Sequence, residues 1–402
     1  MSKFHVHFLV LLAALLCALP AVSQAGDPQQ SAIPYSAADG LRHPTEVNEQ
    51  FLPSQGAGPR FETGTKTSAM AQLAIQQGRV MSVPFFSDAF TFEDKSFPFT
   101  MVGNAPKSGE TAKVKTQVIA ISMFFAGYVD NAGAPIILDV SSVVPQVVNS
   151  PNFRQASYRT GFTQFGDAVQ RAEFFHNMNP DWHTLLRPPE MLTPITMYVP
   201  RGSANLYRIP NGKVFAVVDS EFFISQLNTI IQTENLDTSA LSMVLTTNVL
   251  LAPGAKIQTC CVLGFHTAFD TGMRGDSVQV QTFLWASWVD AGIFGGTLAD
   301  VTPLSHEIQE WMNNPFGVNL VPAWTFPNGV GGCQDNLETG DPVAVFANSG
   351  SPVTIDGFTY HPQSHAMLQW FQRKEQSDAV DGVFSFPDGT LLTGPAQSCP
   401  AP

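Results

Sequence analysis

The 402 residues carry 20 lysines and arginines against 33 aspartates and glutamates, a formal charge of −13. With no basic block or arginine-rich helix, the electrostatic footprint of a nucleic-acid-binding protein is excluded. Only 13% of residues are charged while 44% are hydrophobic and 11% aromatic, so most of the chain can bury a core and wholesale disorder is excluded.

The chain opens with one cation, Lys3, followed by the apolar run FLVLLAALLCALPAV and the small-residue stretch Ser23-Gln24-Ala25. That is the layout of a cleavable secretory signal over residues 1–25, with cleavage expected after Ala25. The run is shorter than the roughly 20 apolar residues of a membrane-spanning helix, and Pro20 interrupts it. Leu16 before Cys17 is not the small residue a lipoprotein anchor needs. The mature protein is therefore expected to be secreted or periplasmic, with no transmembrane segment. Losing Lys3 and no acid takes its formal charge from −13 to −14.

Residues 26–80 are polar and rich in Gly, Pro, Ser and Gln, and read as an extended arm apart from the periodic stretch Thr67–Val80. A single α+β domain is expected over 81–402. Strands are predicted at Val83–Phe92, Val114–Tyr128, Ala134–Val140 and Ile195–Val199, and Pro-Asn-Gly at 210–212 predicts a hairpin between Tyr207–Ile209 and Val214–Val218. Helices are predicted at Phe165–Phe175 and, capped by Asp219 or Ser220, from Glu221 to about Gln232. On the first of these, Gln170-Arg171-x-Glu173 reads as a salt-bridged, exposed face. Further strands follow at Leu241–Leu251, Cys260–Phe269 and Val278–Val289, then a helix at Pro303–Asn313. Helices placed irregularly among strands imply a mixed, largely antiparallel sheet.

Four cysteines lie beyond the signal: Cys260, Cys261, Cys333 and Cys399. An even number in an exported chain predicts two disulfide bonds. If Cys260 and Cys261 lie on a strand they point to opposite faces, so they are expected to bond to Cys333 and Cys399, in either pairing.

The segment richest in chemistry is LSHEIQEWMNNP, residues 304–315. Pro303 or Thr302 can open the helix and Pro315 stops it. Ile308, Trp311 and Met312 form an apolar stripe, and His306 and Glu310, four apart, project from a neighbouring face. Zinc hydrolases of the HExxH kind use this geometry: residues i and i+4 bind the metal and the glutamate after the first histidine takes a proton from water. Glu310 replaces the second histidine, giving HExxE, so the shell is harder and less zinc-selective. A divalent metal is expected at His306 and Glu310, zinc first and calcium or manganese as alternatives, with Glu307 as general base. For a third ligand, Glu338 and Asp341 in the loop GGCQDNLETGDP come first, then His361 and His365, with His266 in reserve.

These segments carry a resemblance. LSHEIQEWMNNP, VPAW, GCQDNLETGDP and GFTYHPQ resemble a group of secreted bacterial proteins with LSHEIxEW, ExGDP and YHPQ segments, over about Val83 to Phe371 and including CCVLGFHTAF. Residues 260–342 are more distantly similar to the phosphate-induced, exordium-like proteins of plants, matched here at His306, Glu307, Glu310, Trp324, Glu338 and Asp341. The resemblance implies a zincin-like metal site. Two functions are expected: an extracytoplasmic metallohydrolase-like protein acting on a peptide or protein substrate, or a non-enzymatic binding or surface protein that keeps a metal, such as calcium, for structure.

Overall fold

Alternating apolar residues along Thr111–Val129 decide the architecture. In the computed structural model, which describes residues 40–47, 60–63, 69–329 and 332–399, this 19-residue strand lies within a 14-stranded mixed sheet. Its side chains alternate between two cores. Ile119, Ile121 and Met123 join Val244, Phe283 and Trp285 on one face, whereas Val118 and Ala120 join Met243, Leu245, Leu284 and Ala286 on the other. Both faces are therefore covered, and the strands between them read as continuous apolar runs.

Seven α-helices accompany the sheet among the described residues: α1 Ala69–Gln76, α2 Val144–Val148, α3 Phe165–Glu173, α4 Ser220–Thr233, α5 Thr302–Asn313, α6 Asp341–Ala344 and α7 Leu368–Phe371. Helix α4 lays Phe223, Leu227 and Ile231 on the first face, and α5 lays Leu304, Ile308, Trp311 and Met312 on the second. The α+β class and mixed sheet are as expected. Parallel pairing is more frequent than the expected antiparallel predominance, because Thr111–Val129 takes Ala240–Thr247, His183–Leu186 and Ile195–Val199 as parallel neighbours. Val262–Arg274 and Ser277–Trp288 form the principal antiparallel pair.

The expected strand Leu241–Leu251 is two strands, Ala240–Thr247 and Val249–Ala252. They are broken at Asn248, whose φ of 53° lies in the left-handed region that asparagine tolerates. Asn248 exchanges hydrogen bonds with Asp290 and lets the chain change neighbours, from Ser277–Trp288 to Val214–Asp219. Within the expected arm, Thr45–Glu46, Arg60–Thr63 and Val80–Met81 pair with the sheet and α1 precedes the last of them. The expected signal segment 1–25 lies outside the described residues. Among the described residues no helix is long and apolar enough to cross a membrane.

A third core, with Trp182, Trp324, Trp370 and Phe371 at its centre, joins the C-terminal region to the rest. Because the sheet lies on one side of α5 and this region with α3 on the other, every residue of α5 is buried.

Candidate metal centre

Helix α5 starts at Thr302-Pro303, where proline suits the first turn because its missing N–H would have no intrahelical partner. The Thr302 hydroxyl oxygen lies within hydrogen-bond distance of two carbonyls, those of Ala299 (2.7 Å) and His361 (2.6 Å), and its one hydrogen can tie this start to the 360–365 segment. After the helix, Asn314 Oδ1 accepts the N–H groups of Val318 and Asn319 and turns the chain into the ribbon of Leu320–Thr325 and Cys333–Asn336. Within that ribbon the buried Trp324 donates its indole N–H to the Asn336 carbonyl (3.0 Å). The ribbon delivers Glu338 and Asp341 to the polar face of α5.

His306 Nε2 lies 3.1 Å from Glu310 Oε2 and 3.8 Å from Asp341 Oδ1. His266, from the strand Val262–Arg274, faces the same carboxylates: its Nδ1 is 3.2 Å from Glu307 Oε2 and 3.7 Å from Glu310 Oε2, and its Nε2 is 3.9 Å from Glu338 Oε2. Ligand atoms of His266, Glu310 and Glu338 lie within 4.8 Å of one another, as do those of His306, Glu307 and Glu310. His266, His306 and Glu307 are wholly buried, and Glu310 and Glu338 are 2% and 4% exposed.

Two glycines make this approach possible. A Cβ on Gly340 would lie 2.5 Å from His306 Cε1, and one on Gly264 would lie 2.6 Å from Glu307 Oε1. Gln363 clamps the Gly340 turn to α5 by donating twice: its backbone N–H to Ser305 Oγ (2.8 Å) and its amide to the Gly340 carbonyl (2.8 Å). Gln334 donates to Asp341 Oδ2 (3.2 Å), leaving Oδ1 toward His306.

Glu310 is the anion of the group. Burial pushes its carboxyl up, but the charge and hydrogen bond of His306, followed by His266 and His365, outweigh burial and hold it below the usual range. Its Oε1 also accepts the N–H groups of Gly340 (2.9 Å) and Asp341 (3.3 Å). Glu307 and Glu338 are raised well above the usual range, first by burial and then by the charges of Glu310 and Asp341. Burial, reinforced by His306, lowers His266 to about 4 and His365 to about 3, so both are neutral imidazoles at neutral pH, the form that binds metals. The ion-pair partners of Glu307, Glu310 and Glu338 among the described residues are histidines, with no lysine or arginine.

A divalent cation fits this donor set. Among the described residues, no donor reaches either carboxylate oxygen of the buried Glu338, and His266 Nε2 is likewise without a hydrogen-bond partner. Buried polar groups left in that state are costly, and a cation would satisfy them. The separations of 3.1–3.9 Å compare with about 3.3–3.6 Å between ligands bonded to one ion at zinc distances.

Of the residues expected at the site, His306, Glu307, Glu310, Glu338 and Asp341 are brought together, and the reserve candidate His266 joins them. His361 instead turns its Nδ1 to Asp300 Oδ2 (2.6 Å). His365 is buried 6.0 Å from the His306 ring, centroid to centroid, with its Nδ1 3.3 Å from Thr339 Oγ1. Gln363 was not anticipated, although it stands in the YHPQ segment beside both histidines.

Two expectations are corrected. Cys260 bonds to Cys261 and Cys333 to Cys399. The adjacent pair precedes the strand at Val262 and follows the turn Ile257–Thr259, so strand alternation does not separate the two side chains. Gln170, Arg171 and Glu173 are not a solvated face, because α3 packs against α5. Asn313 donates to Glu173 Oε1 (2.7 Å), Gln170 donates to the Val102 carbonyl (3.2 Å), and Arg171 donates to the carbonyls of Thr160, Pro180 and Trp182.

No family model, curated protein or solved structure matches this chain.

Proposed function

We propose that this chain is an exported, metal-dependent hydrolase-like protein acting on peptide bonds, with its centre on the HExxE helix. The observation that carries the reading is the burial of His306, Glu310 and Glu307 together with His266 and Glu338, with no lysine or arginine partner for the three glutamates among the described residues. The similarity of LSHEIQEWMNNP and GCQDNLETGDP to secreted bacterial and exordium-like segments belongs to the same proposal. His306 and Glu310 would hold the ion, with Asp341, Glu338 and His266 as the remaining donors. Zinc, or another divalent ion, supplies Lewis-acid polarisation when bound. Glu307, whose Oε1 has no hydrogen-bond donor among the described residues, would accept a proton from water.

The second reading, a structural metal in a binding or surface protein, is favoured by the enclosure of the site, since structural metal sites are closed and catalytic ones keep an open position. Metal analysis and peptide-library cleavage by the disulfide-bonded protein separate the two. Under the first reading, Glu307→Gln keeps metal and fold but lowers cleavage by about 10²- to 10⁴-fold, the range for losing a general base, while His306→Ala loses metal. Stoichiometric metal with no cleavage by the wild type would leave the structural reading. Protein purified without chelator that holds no metal and shows no thermal shift with zinc, manganese or calcium would remove both.

A further inference from the structure

We propose that the centre is dinuclear, with Glu310 Oε2 bridging two divalent ions; the inference rests on the metal-binding reading above. The donors do not converge on one point. His306 Nε2 faces Glu310 Oε2 at 3.1 Å and Asp341 Oδ1 at 3.8 Å, which defines one subsite. His266 turns its other ring nitrogen, Nε2, to Glu338 Oε2 at 3.9 Å, and ligand atoms of these two residues and Glu310 lie within 4.8 Å of one another, which defines a second. Glu310 is common to both. Its two oxygens are already differentiated: Oε1 is held by the N–H groups of Gly340 and Asp341, so Oε2 alone points between the histidines.

Charge leads to the same count. Four carboxyl groups, those of Glu307, Glu310, Glu338 and Asp341, surround two histidines, and the three glutamates have no lysine or arginine partner among the described residues. One divalent ion held by His306, Glu310 and Asp341 would leave Glu338 without a partner, and a second ion would supply one. Buried charge left uncompensated is expensive, and the oxygens of Glu338 and the Nε2 of His266, which have no hydrogen-bond partner among the described residues, line the side of the site that one ion at His306 would leave empty. Glu307, bonded to His266 Nδ1 at 3.2 Å, orients that ring in the way a carboxylate behind a metal-bound histidine does. Paired ions bridged by a carboxylate act as a two-sided clamp in hydrolysis.

Native mass spectrometry of the full disulfide-bonded chain with zinc, and electron paramagnetic resonance during manganese titration, test the proposal. Two zinc ions per chain and an exchange-coupled manganese spectrum are expected, with Glu338→Gln reducing zinc to one per chain while His306 still binds. One ion per wild-type chain would overturn the dinuclear site and leave the metal-binding reading standing; none would overturn both. Two ions with an uncoupled manganese spectrum would place the second ion elsewhere and also overturn it. The wild-type spectrum decides the question without a variant if Glu338→Gln fails to fold.

Discussion

Adding one methyl group at Gly340 tests the centre without replacing any proposed ligand. Gly340 has φ −82°, so alanine can adopt its backbone conformation, and the perturbation is steric. The new Cβ would stand 2.5 Å from His306 Cε1 and 2.9 Å from its Cγ. That ring is hemmed in by Glu310 and Asp341 and cannot give way as a flexible chain end would. Overpacking of this kind costs about 1–3 kcal/mol. Replacing glycine returns about 0.4–1 kcal/mol by restricting the unfolded chain, so a net loss of about 1–2 kcal/mol is expected. Gly340 also donates to Glu310, and displacing such supporting contacts typically weakens metal binding about 10- to 100-fold. Gly166→Ala is the control: its Cβ meets the Met312 sulfur at 2.5 Å, a flexible thioether that can move, and alanine favours helix α3. Urea unfolding in chelator and zinc titration of both variants supply the assay. Wild-type stability and zinc affinity in Gly340→Ala would refute the close-approach argument.

Buried Glu173 is pushed up to about 8 by burial, so between pH 4.5 and 8 the unfolded chain has released this proton and the folded chain keeps it. Stability therefore falls as pH rises through that window, and Glu173→Gln should remove up to about 1.4 kcal/mol per pH unit from the slope; an unchanged slope in urea unfolding would contradict the assignment. Peptide mapping without reductant should link Cys333 to Cys399, and replacing both by serine should cost about 2–5 kcal/mol for a bond spanning 66 positions, weakening zinc binding through the Glu338 ribbon. A link from Cys333 to Cys260 or Cys261 would refute the pairing. Intact mass measurement of exported protein should find Gly26 as the first residue, and a retained Met1 would sink the signal assignment.

Local signals in the sequence determined much of this protein. Period-two runs located the strands around Thr111–Val129, Ile195–Val199 and Ser277–Trp288, and the flanking prolines with the i, i+4 pair located α5 and the polar face carrying His306 and Glu310. Those features depend on neighbours within a turn or along a strand, and residue order records them directly. Tertiary structure decided which distant groups join them. His266 belongs to the centre because its strand packs beneath α5, whereas His361 is drawn away to Asp300, and nothing near either residue encodes that difference. The same holds for α3, whose Gln170, Arg171 and Glu173 match a solvated face by periodicity yet find amide and carbonyl partners only when Val102, Thr160 and, from α5, Asn313 pack against them. Cys260 and Cys261 depended on where the turn ended and the strand began, a boundary of two residues that periodicity does not resolve. A buried polar group is satisfied by whatever the fold brings within about 3 Å, and that distance is a property of packing between remote segments.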